Sequence, residues 1–312
     1  MKGSTVLRKH LAQKKILVKP SAFDALSAKI IESAGFKVIG ITGYGVSLAM
    51  LGKPDAGFLT LTEMVALTRY VTGATQTPVI CDADTGFGNA LNVLRTTEEY
   101  IKAGAAGFHM EDQLAPKRCG HVAGKQLISL EEAVGKIRAA DRVRRELDPD
   151  FLIIARTDAR GAVGGSLDEA VRRGKAYMEA GADMIFPDGI TNIEELEECA
   201  KKIKAPIHHN IAALSAPFDV PPLSRLEEIG VSIVSNPAGL LRASLKAMWD
   251  YAHGFAKEGT VFMKEVNQNY AGHPTEDLHT FAGFPEIRRL EEEFLPKEET
   301  AQKYSKSIGF KP

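Results

Sequence analysis

Three acidic side chains provide the first chemical signal in the sequence. Asp82 and Asp84 follow one apolar run, and Glu111 closes the next one. Residues two apart on an extended strand project to the same side, so Asp82 and Asp84 are expected to face one region together. Such oxygen ligands suit Mg²⁺, which takes few carboxylates and keeps several waters, and Mn²⁺ would accept the same ligands. The sequence therefore predicts a divalent-metal site, and the alternative is that these carboxylates only pair with Arg156 or Lys117.

A short basic loop follows the second of these runs and carries a single thiol. It reads Lys117-Arg118-Cys119-Gly120-His121. Neighbouring cations favour the thiolate form of a cysteine and would lower the pKa of Cys119. Gly120 supplies the backbone freedom that a moving lid requires. We predict that Cys119 is an acid–base group on a mobile loop.

Other apolar runs also end in polar residues. Arg156 ends an aliphatic run, where a guanidinium suits bidentate recognition of a carboxylate. Its alternative role is a structural ion pair with Asp158 or Asp188. Thr42 and Gly43 follow another run, and they can present a hydroxyl and backbone N–H groups to a substrate carboxylate because glycine permits close approach.

Composition narrows the functional classes. A formal net charge of −1, with 44% hydrophobic and 25% charged residues, is typical of a soluble enzyme and gives no reason to expect nucleic acid or membrane partners. The 3 cysteines have no framework spacing, which indicates free thiols in a reducing compartment. Cys81 and Cys199 lie in apolar patterns, so both are expected to be buried and inert. With no signal peptide or membrane span in the pattern, we expect a cytoplasmic protein.

These residues need a scaffold that brings them together. Eight short β-rich runs alternate with eight amphipathic helical runs, a pattern typical of βαβ units and a parallel sheet. The predicted strands cover residues 16–19, 38–42, 79–83, 107–111, 151–156, 184–187, 207–210 and 231–234. The predicted helices cover residues 22–34, 61–72, 93–103, 130–146, 167–180, 193–202, 223–229 and 240–255. Eight such units indicate an α/β (β/α)8 TIM barrel, in which active groups collect at the carboxyl ends of the strands.

The segment from about residue 259 onward differs from the rest. It is charged and helical in pattern, without a further strand. No flexible linker separates it from the barrel, so we predict one domain over residues 1–312, with the barrel at about 15–258 and a helical carboxy-terminal tail at about 259–312. The tail is either packed on the barrel or an arm for oligomer assembly.

Longer motifs around the acidic residues resemble a known superfamily. These motifs are Asp82-Ala83-Asp84-Thr85-Gly86-Phe87-Gly88, Glu111-Asp112-Gln113, Lys117-Arg118-Cys119-Gly120-His121 and Ala155-Arg156-Thr157-Asp158-Ala159. Over roughly residues 15–255 the chain resembles the isocitrate lyase/phosphoenolpyruvate mutase superfamily. The Lys-Arg-Cys-Gly-His run points to the short-chain lyase branch, which includes methylisocitrate lyase, dimethylmalate lyase and oxaloacetate hydrolase. Carboxyphosphonoenolpyruvate phosphonomutase has a similar cysteine loop.

The resemblance implies an assembly and a role for each matched residue. The implied assembly is a homotetramer, a dimer of dimers, in which the last barrel helix is swapped between subunits. Asp82 would ligate Mg²⁺ directly, and Asp55, Asp84 and Glu111 would hold its waters. The Cys119 loop would close over a small carboxylate substrate. Substrate contacts are implied for Thr42, Gly43, Tyr44, Arg156, Asp188 and Asn210.

Two positions depart from the family pattern. Relatives usually have a glutamate after strand six, where this chain has Asp188, and a second one past Asn210, where this chain reads Ala212-Ala213. Both positions belong to the substrate region, so we expect a substrate unlike methylisocitrate, with fewer hydroxyls or a more apolar substituent. The base for the substrate hydroxyl is unassigned, because a tyrosine used in some relatives corresponds to Gly40.

The combined prediction is a Mg²⁺-dependent lyase that cleaves a C–C bond of a small 2-hydroxy di- or tricarboxylate. Cleavage leaves an enediolate, which a metal and backbone donors stabilise and which the Cys119 thiol would protonate. Phosphonomutase-type P–C chemistry and oxaloacetate hydrolysis stay open as alternatives. A carboxylate-binding scaffold without turnover is disfavoured, since Asp82, Asp84 and Glu111 are intact alongside the thiol.

Overall fold

A closed barrel of parallel strands forms the centre of the computed structural model, which describes residues 1–211, 220–305 and 308–310. The eight strands follow one another around the barrel in sequence order, so the predicted (β/α)8 fold is confirmed. They are β1 (Leu17–Ala22), β2 (Ile39–Ile41), β3 (Val79–Asp82), β4 (Gly107–Glu111), β5 (Leu152–Thr157), β6 (Met184–Pro187), β7 (Ile207–Asn210) and β8 (Val231–Asn236). Every predicted strand is present, and its bounds differ from the prediction by a few residues at most.

Helices lie between successive strands in the chain, with one more before β1 and one directly after β8. They are α1 (Gly3–Leu11), α2 (Ala25–Ser33), α3 (Gly43–Val46), α4 (Leu61–Ala74), α5 (Ala90–Lys102), α6 (Leu130–Leu147), α7 (Leu167–Glu179), α8 (Ile193–Ile203), α9 (Leu223–Ile229) and α10 (Gly239–Glu258). A short π-helical segment, Ser47–Leu51, continues α3. The sequence pattern predicted all of these except α1 and α3.

Side-chain caps decide where several helices begin. Asp24 accepts a hydrogen bond of 2.6 Å from the backbone N–H of Ser27, and Asn89 caps α5 by accepting one of 3.0 Å from that of Leu91. These bonds satisfy backbone donors that the first helical turn leaves without partners. The predicted helix 22–34 therefore begins three residues too early, because Ala22 belongs to β1.

Helix α1 lies against the amino ends of the strands. Leu7 of this helix is fully buried in an apolar cluster with Leu17, Leu152 and Met184, each the first residue of its strand. Burying a leucine side chain contributes about 1.5–3 kcal/mol relative to leaving it in water. The helix thus covers the amino ends, and the opposite ends of the strands are left for polar residues.

The chain forms two compact units, Met1–Ser244 and Leu245–Pro312. The second unit begins within α10 and contains α11 (Thr260–Gln268), α12 (Leu278–Ala282), α13 (Phe284–Phe294) and α14 (Lys297–Ser305). Its described residues include no strand, as predicted for the tail. That the tail belongs to the same domain as the barrel stays a prediction. Within the described ranges, no helix combines the length and apolar character needed to cross a membrane.

Candidate active site

A cavity opens at the carboxyl ends of the barrel strands. Most of the predicted site residues line it: Thr42, Tyr44, Asp55, Asp82, Glu111, Lys117, Cys119, Gly120, His121, Arg156 and Asn210. Four predicted residues do not: Gly43, Asp84, Arg118 and Asp188. The barrel therefore gathers residues from distant parts of the sequence at one site, as the fold predicts.

Asp82 ends strand β3, and the backbone around it fixes its carboxylate. Its Oδ1 accepts a hydrogen bond of 3.0 Å from the Asp84 N–H, and its Oδ2 accepts one of 3.0 Å from the Gly43 N–H. Burial alone would raise the pKa of Asp82, but His109, Lys117 and the Asp84 N–H outweigh burial and hold the pKa at about 2. The Gly43 N–H, assigned to the substrate by resemblance, is therefore used by Asp82 here.

Gly43 is required by this contact. A Cβ at this position would lie 2.7 Å from Oδ2 of Asp82, which is closer than side chains tolerate. The absence of a side chain lets the start of α3 approach the end of β3 and donate its N–H. Gly43 is thus a positioning residue for the carboxylate.

Lys117 is buried between two carboxylates. Its Nζ lies 2.7 Å from Oδ1 of Asp55 and 2.8 Å from Oδ1 of Asp84. Burial favours the neutral amine, but these carboxylates outweigh it and raise the pKa of Lys117 well above its usual value. The alternative pairing with Lys117 is therefore present for Asp84, and Asp55, which that alternative did not include, contacts the same amine.

The carboxylates of Asp84 and Asp82 lie near each other, as expected, since a Cβ at Gly43 would lie 3.4 Å from Oδ1 of Asp84 and 2.7 Å from Oδ2 of Asp82. The predicted alternation of an extended strand is not the reason. Strand β3 ends at Asp82, and Asp84 has a φ of 45°, in the left-handed region. The alternation of an extended strand does not continue through such a residue. Burial raises the pKa of Asp84 to about 6, partly offset by Lys117 and reinforced by Asp82.

Glu111 ends strand β4 and has one carboxylate oxygen without a partner. Its Oε2 lies 3.2 Å from Nε of Arg156, whereas its buried Oε1 has no hydrogen-bond partner among the described residues. Burial raises the pKa of Glu111 well above its usual value. A cation beside Oε1 would supply the missing partner and favour the ionised form.

The donor set in the cavity fits a hard divalent cation. Asp55, Asp82 and Glu111 all present carboxylates to it. In the described part of the chain, no three His, Cys, Asp or Glu side chains converge closely enough to hold an ion by themselves. Mg²⁺ meets both observations, since it takes one or two carboxylates and completes its shell with water and substrate oxygens, and Mn²⁺ prefers similar ligands.

Arg156 ends the cavity-facing part of β5 and is held by three carboxylates. Its Nε lies 2.9 Å from Oδ2 of Asp158, and one terminal nitrogen lies 2.9 Å from Oδ1 of the same residue. The same terminal nitrogen lies 2.8 Å from Asp188, and Nε lies 3.2 Å from Glu111. These acids outweigh burial and raise the pKa of Arg156 well above its usual value. The structural ion pairs left open by the sequence are therefore formed, and Asp188 is a partner of Arg156.

The cysteine loop is tied to the same network. The buried Lys125 donates a hydrogen bond of 2.5 Å to the Gly120 carbonyl oxygen and one of 3.0 Å to Asp158. A Cβ at Gly120 would overlap the Asp188 carboxylate and the Arg156 guanidinium. Glycine is needed at this position because the loop backbone passes directly over the arginine.

The surroundings of Cys119 favour the protonated form of its thiol. Burial raises the pKa of Cys119, and the His121 backbone N–H and the nearby cations only partly oppose it. The prediction of a lowered pKa is wrong for a structural reason. Lys117 is already paired with two carboxylates, and the exposed Arg118 donates instead to the Ala123 carbonyl. A protonated thiol suits a proton donor, and Sγ lies 3.9 Å from Nδ1 of His121.

The other two cysteines are buried, as predicted. Cys81 lies with Sγ 3.5 Å from Oγ1 of Thr68, and Cys199 is fully enclosed on α8. Burial raises the pKa of each thiol to about 12. All three cysteines are free of disulfide bonds.

The remaining predicted substrate contacts lie around the rim. The Thr42 hydroxyl caps α3 by accepting from the Gly45 N–H at 3.3 Å, and Tyr44 is 36% exposed. The amide oxygen of Asn210 accepts a hydrogen bond of 3.1 Å from the Ser235 hydroxyl. Ala212 and Ala213, where the family glutamate is missing, lie outside the described residues.

Nine further residues line the cavity outside the predicted set, namely Lys19, Ser21, Ile41, His109, Phe186, His208, Ser235, Pro237 and Ala238. Lys19 was recognisable from the sequence, because it is the last residue of the first predicted strand, where barrel site residues collect. Phe186 packs under the Arg156 guanidinium, with 5.1 Å between the ring centroid and the guanidinium carbon. An apolar strand residue with this role has no signature in a single sequence.

Comparison with known proteins shows which family the chain belongs to. The sequence model of the phosphoenolpyruvate phosphomutase family matches residues 7–256. The match covers most of the chain, so the chain belongs to this family, and the predicted superfamily membership is confirmed.

Individual relatives narrow the comparison. The chain is 45% identical to 2,3-dimethylmalate lyase of Eubacterium barkeri over 252 residues, 80% of this chain and 85% of the relative. A crystal structure of 2,3-dimethylmalate lyase superposes with a TM-score of 0.85 at 31% identity and covers 99% of both chains. Phosphonopyruvate hydrolase in complex with oxalate and Mg²⁺ superposes with a TM-score of 0.82 at 31% identity, over 95% of this chain and 100% of that one. The prediction of an enzyme of the carbon–carbon lyase type is confirmed by these relatives.

Proposed function

We propose that this protein is a Mg²⁺-dependent lyase that cleaves a C–C bond of a small 2-hydroxy dicarboxylate with an alkyl substituent, as in 2,3-dimethylmalate. One observation carries the proposal. The protonated thiol of Cys119 lines the same cavity as the carboxylates of Asp55, Asp82 and Glu111. A proton donor beside a hard-cation site is what an enediolate intermediate requires.

The cavity supports an apolar substituent on the substrate. Ile41, Phe186, Pro237 and Ala238 contribute apolar surface to its lining. Asp188, shorter by one methylene than the glutamate expected from relatives, is paired with Arg156 and does not line the cavity. Asp188 is therefore engaged by Arg156 and is a poor partner for an additional substrate hydroxyl, and unpaired polar groups are costly to bury.

The reaction follows from where charge develops. Asp82 would hold the ion directly, with Asp55 and Glu111 as outer oxygen donors, and the bound ion would stabilise negative charge on substrate oxygens. Lys117 and Arg156, fixed by their carboxylates, add positive charge at the same mouth.

Bond cleavage and proton transfer involve the chain's own groups. When the hydroxyl proton is removed, the electron pair of the O–H bond forms the carbonyl of the 2-oxo acid product, and the C–C bond breaks. Its electrons pass to the carbon beside the second carboxylate. The Cys119 thiol then donates its proton to that carbon. We propose that the Cys119 loop, with Gly120 and His121, closes over the substrate and keeps water from this step.

A substrate panel tests the proposal. Purified protein is assayed with Mg²⁺ against 2,3-dimethylmalate, methylisocitrate, oxaloacetate and carboxyphosphonoenolpyruvate. We expect turnover of 2,3-dimethylmalate, its loss with EDTA and its recovery with Mg²⁺ or Mn²⁺. Cys119→Ser should lower kcat by about 10²-fold or more, since general acids contribute that much, and Cys199→Ala is the matched control. Full activity in EDTA or in Cys119→Ser contradicts the mechanism.

Phosphonomutase-type chemistry is the second candidate, and Lys19 is the observation that favours it. Lys19 lines the cavity in addition to Lys117 and Arg156. An additional cation suits a phosphonate. Turnover of carboxyphosphonoenolpyruvate, with no cleavage of the hydroxy acids, would establish this reaction instead.

We also propose that the protein is a homotetramer that exchanges its last barrel helix and works in the cytoplasm. The free cysteines fit a reducing compartment. In the second unit, Met248, Trp249, Leu278 and Phe294 are each more than half exposed, which is typical of surfaces that a partner covers. Light scattering should give four times 33.8 kDa, and a monomer mass would contradict the tetramer.

A further inference from the structure

Lys19 is a charged residue on the inward face of β1. Leu17, Lys19 and Ser21 alternate on that strand, so their side chains project to the same side. Leu17 belongs to the apolar cluster inside the barrel, whereas Lys19 and Ser21 line the cavity. Lys19 is only 2% exposed. Its amine therefore reaches the floor of the cavity from within the barrel.

A glycine on the neighbouring strand makes room for this amine. Gly40 of β2 is the register partner of Ser21. A Cβ at Gly40 would lie 2.9 Å from Nζ of Lys19 and 2.5 Å from Oγ of Ser21. Any side chain at position 40 would displace one of these groups. The amine of Lys19 thus fills the space that a side chain on β2 would take at the cavity floor.

Lys19 differs from the other cations of the cavity in its partners. Among the described residues, Lys117 contacts two carboxylates and Arg156 contacts three. Lys19 has no ion pair or hydrogen bond from its amine to any described residue. A lysine held for structure alone is normally paired when buried. The amine is consequently available to a bound ligand.

The charged and titratable groups around Lys19 come from several strands. Asp82 of β3 is the acid whose charge acts most strongly on Lys19, Cys81 precedes it, and His109 of β4 and His208 of β7 line the same cavity. Burial holds the pKa of both imidazoles below the usual range, so they are neutral near pH 7. Burial also lowers the pKa of Lys19, to about 8, although Asp82 opposes the shift. A substantial share of the amine is therefore neutral under mildly alkaline conditions.

We propose that Nζ of Lys19 is the base that removes the proton of the substrate hydroxyl, an inference that rests on the proposed lyase function. The nitrogen lone pair accepts the proton, the O–H electrons form the new carbonyl, and the C–C bond electrons move to the carbon that Cys119 protonates. One turnover leaves an ammonium at Lys19 and a thiolate at Cys119. Exchange with water after product release restores both, so protons balance without any further reactant.

Variants at position 19 distinguish a general base from a residue that only supplies positive charge. Lys19→Met should lower kcat by about 10²-fold or more, the usual contribution of a general base. Lys19→Arg keeps the charge but cannot give up its proton, so it should be as inactive as Lys19→Met. In Lys19→Ala, added ethylamine should restore part of kcat. Lys175→Met, an exposed lysine on α7, is the control and should match the wild type.

The pH dependence of kcat/KM is a measurement that would not change if Lys19 had only a structural role. Wild-type kcat/KM should rise with pH through a limb controlled by Lys19, and this limb should be absent from the residual activity of Lys19→Met. If Lys19→Met keeps kcat within threefold, or Lys19→Arg restores it, the base assignment is overturned while the lyase function stands. If the wild type cleaves no 2-hydroxy acid, the proposed function fails and this inference fails with it.

Discussion

The two sides of the cavity differ in how their charges are paired. On the side formed by β3 to β5 and the cysteine loop, Lys117 and Arg156 are each enclosed by carboxylates. On the side formed by β7, β8 and β1, the lining groups His208 and Asn210 are neutral and connected through the Ser235 hydroxyl. The cation there, Lys19, contacts no described carboxylate.

The cations of the two sides therefore differ in how easily they lose a proton. Paired cations such as Lys117 keep their protons, because the neighbouring acids raise their pKa well above the usual range. They can stabilise charge on a substrate but cannot act as bases. A buried amine without a carboxylate partner, such as Lys19, gives up its proton more easily. We therefore expect the paired cations to stabilise charge on the substrate, and the two groups without a carboxylate partner, Lys19 and the Cys119 thiol, to exchange protons with it.

Removing one acid of the paired side should have the largest effect. Asp158 is fully buried and contacts both Arg156 and Lys125. Asp158→Asn should lower the free energy of unfolding by about 3–5 kcal/mol, because breaking a buried pair leaves a cation uncompensated. Urea unfolding measures the change, and Glu258→Gln, at an exposed acid, is the control. A loss as small as in the control would mean that Asp158 does not hold the paired side together.

Removing the cation of the other side should have the opposite effect on stability. The pKa of Lys19 is lowered in the folded state, so the unfolded chain binds more protons between pH 8 and 10.5. Below pH 8 the buried charge costs on the order of 3 kcal/mol, since each pKa unit corresponds to about 1.4 kcal/mol. Lys19→Met should therefore be more stable at pH 7, and its advantage should disappear toward pH 10.5. If Lys19→Met and the wild type were equally stable at both pH values, burying the Lys19 charge would not have this cost.

A substitution in the cysteine loop should lower the activity more than the stability. Gly120→Ala places a Cβ against Asp188 and Arg156, so the loop must move away from the cavity. We expect kcat to fall about tenfold, equivalent to roughly 1.4 kcal/mol in the barrier, with little change in the unfolding midpoint. Val122→Ala, at a half-exposed position of the same loop, is the control. Unchanged turnover in Gly120→Ala would exclude a close-fitting loop.

The smallest effect on activity is expected at Cys81. Its thiol is buried against Thr68 and does not line the cavity. Cys81→Ala should keep kcat within twofold and lower stability by about 1 kcal/mol, as small cavities do. N-ethylmaleimide should label native protein at Cys119 alone, because the other thiols are enclosed. Labelling of Cys81 before Cys119 would reverse the assignment of the reactive thiol.

Much of the fold and part of the site were predictable from the sequence. The alternation of strands and helices gave the barrel, and the barrel placed the strand-terminal residues Asp82, Glu111 and Arg156 at one end. Helix α1 was missed because its surroundings, the amino ends of the strands, exist only in the folded molecule. The strands and helices of the barrel were predictable because they depend on local periodicity, which a single sequence displays directly.

Pairing between distant residues was the part that the sequence could not supply. Whether Lys117 activates Cys119 or pairs with Asp55 and Asp84 depends on which loops meet, and the structure selects the carboxylates. The left-handed backbone at Asp84 likewise depends on its tertiary surroundings. The pKa of Cys119 was predicted in the wrong direction for this reason, since burial and ion pairing are properties of the folded chain.

Deuterium incorporation tests the central claim, that this cavity cleaves a C–C bond and protonates the resulting enediolate from Cys119. The reaction of 2,3-dimethylmalate is run with Mg²⁺ in D₂O, and the products are analysed by NMR. The thiol exchanges with solvent, so the account predicts one deuterium on the carbon beside the released carboxylate, with formation of the product slowed in Cys119→Ser. Absence of cleavage, or cleavage that leaves this carbon without deuterium, would contradict it.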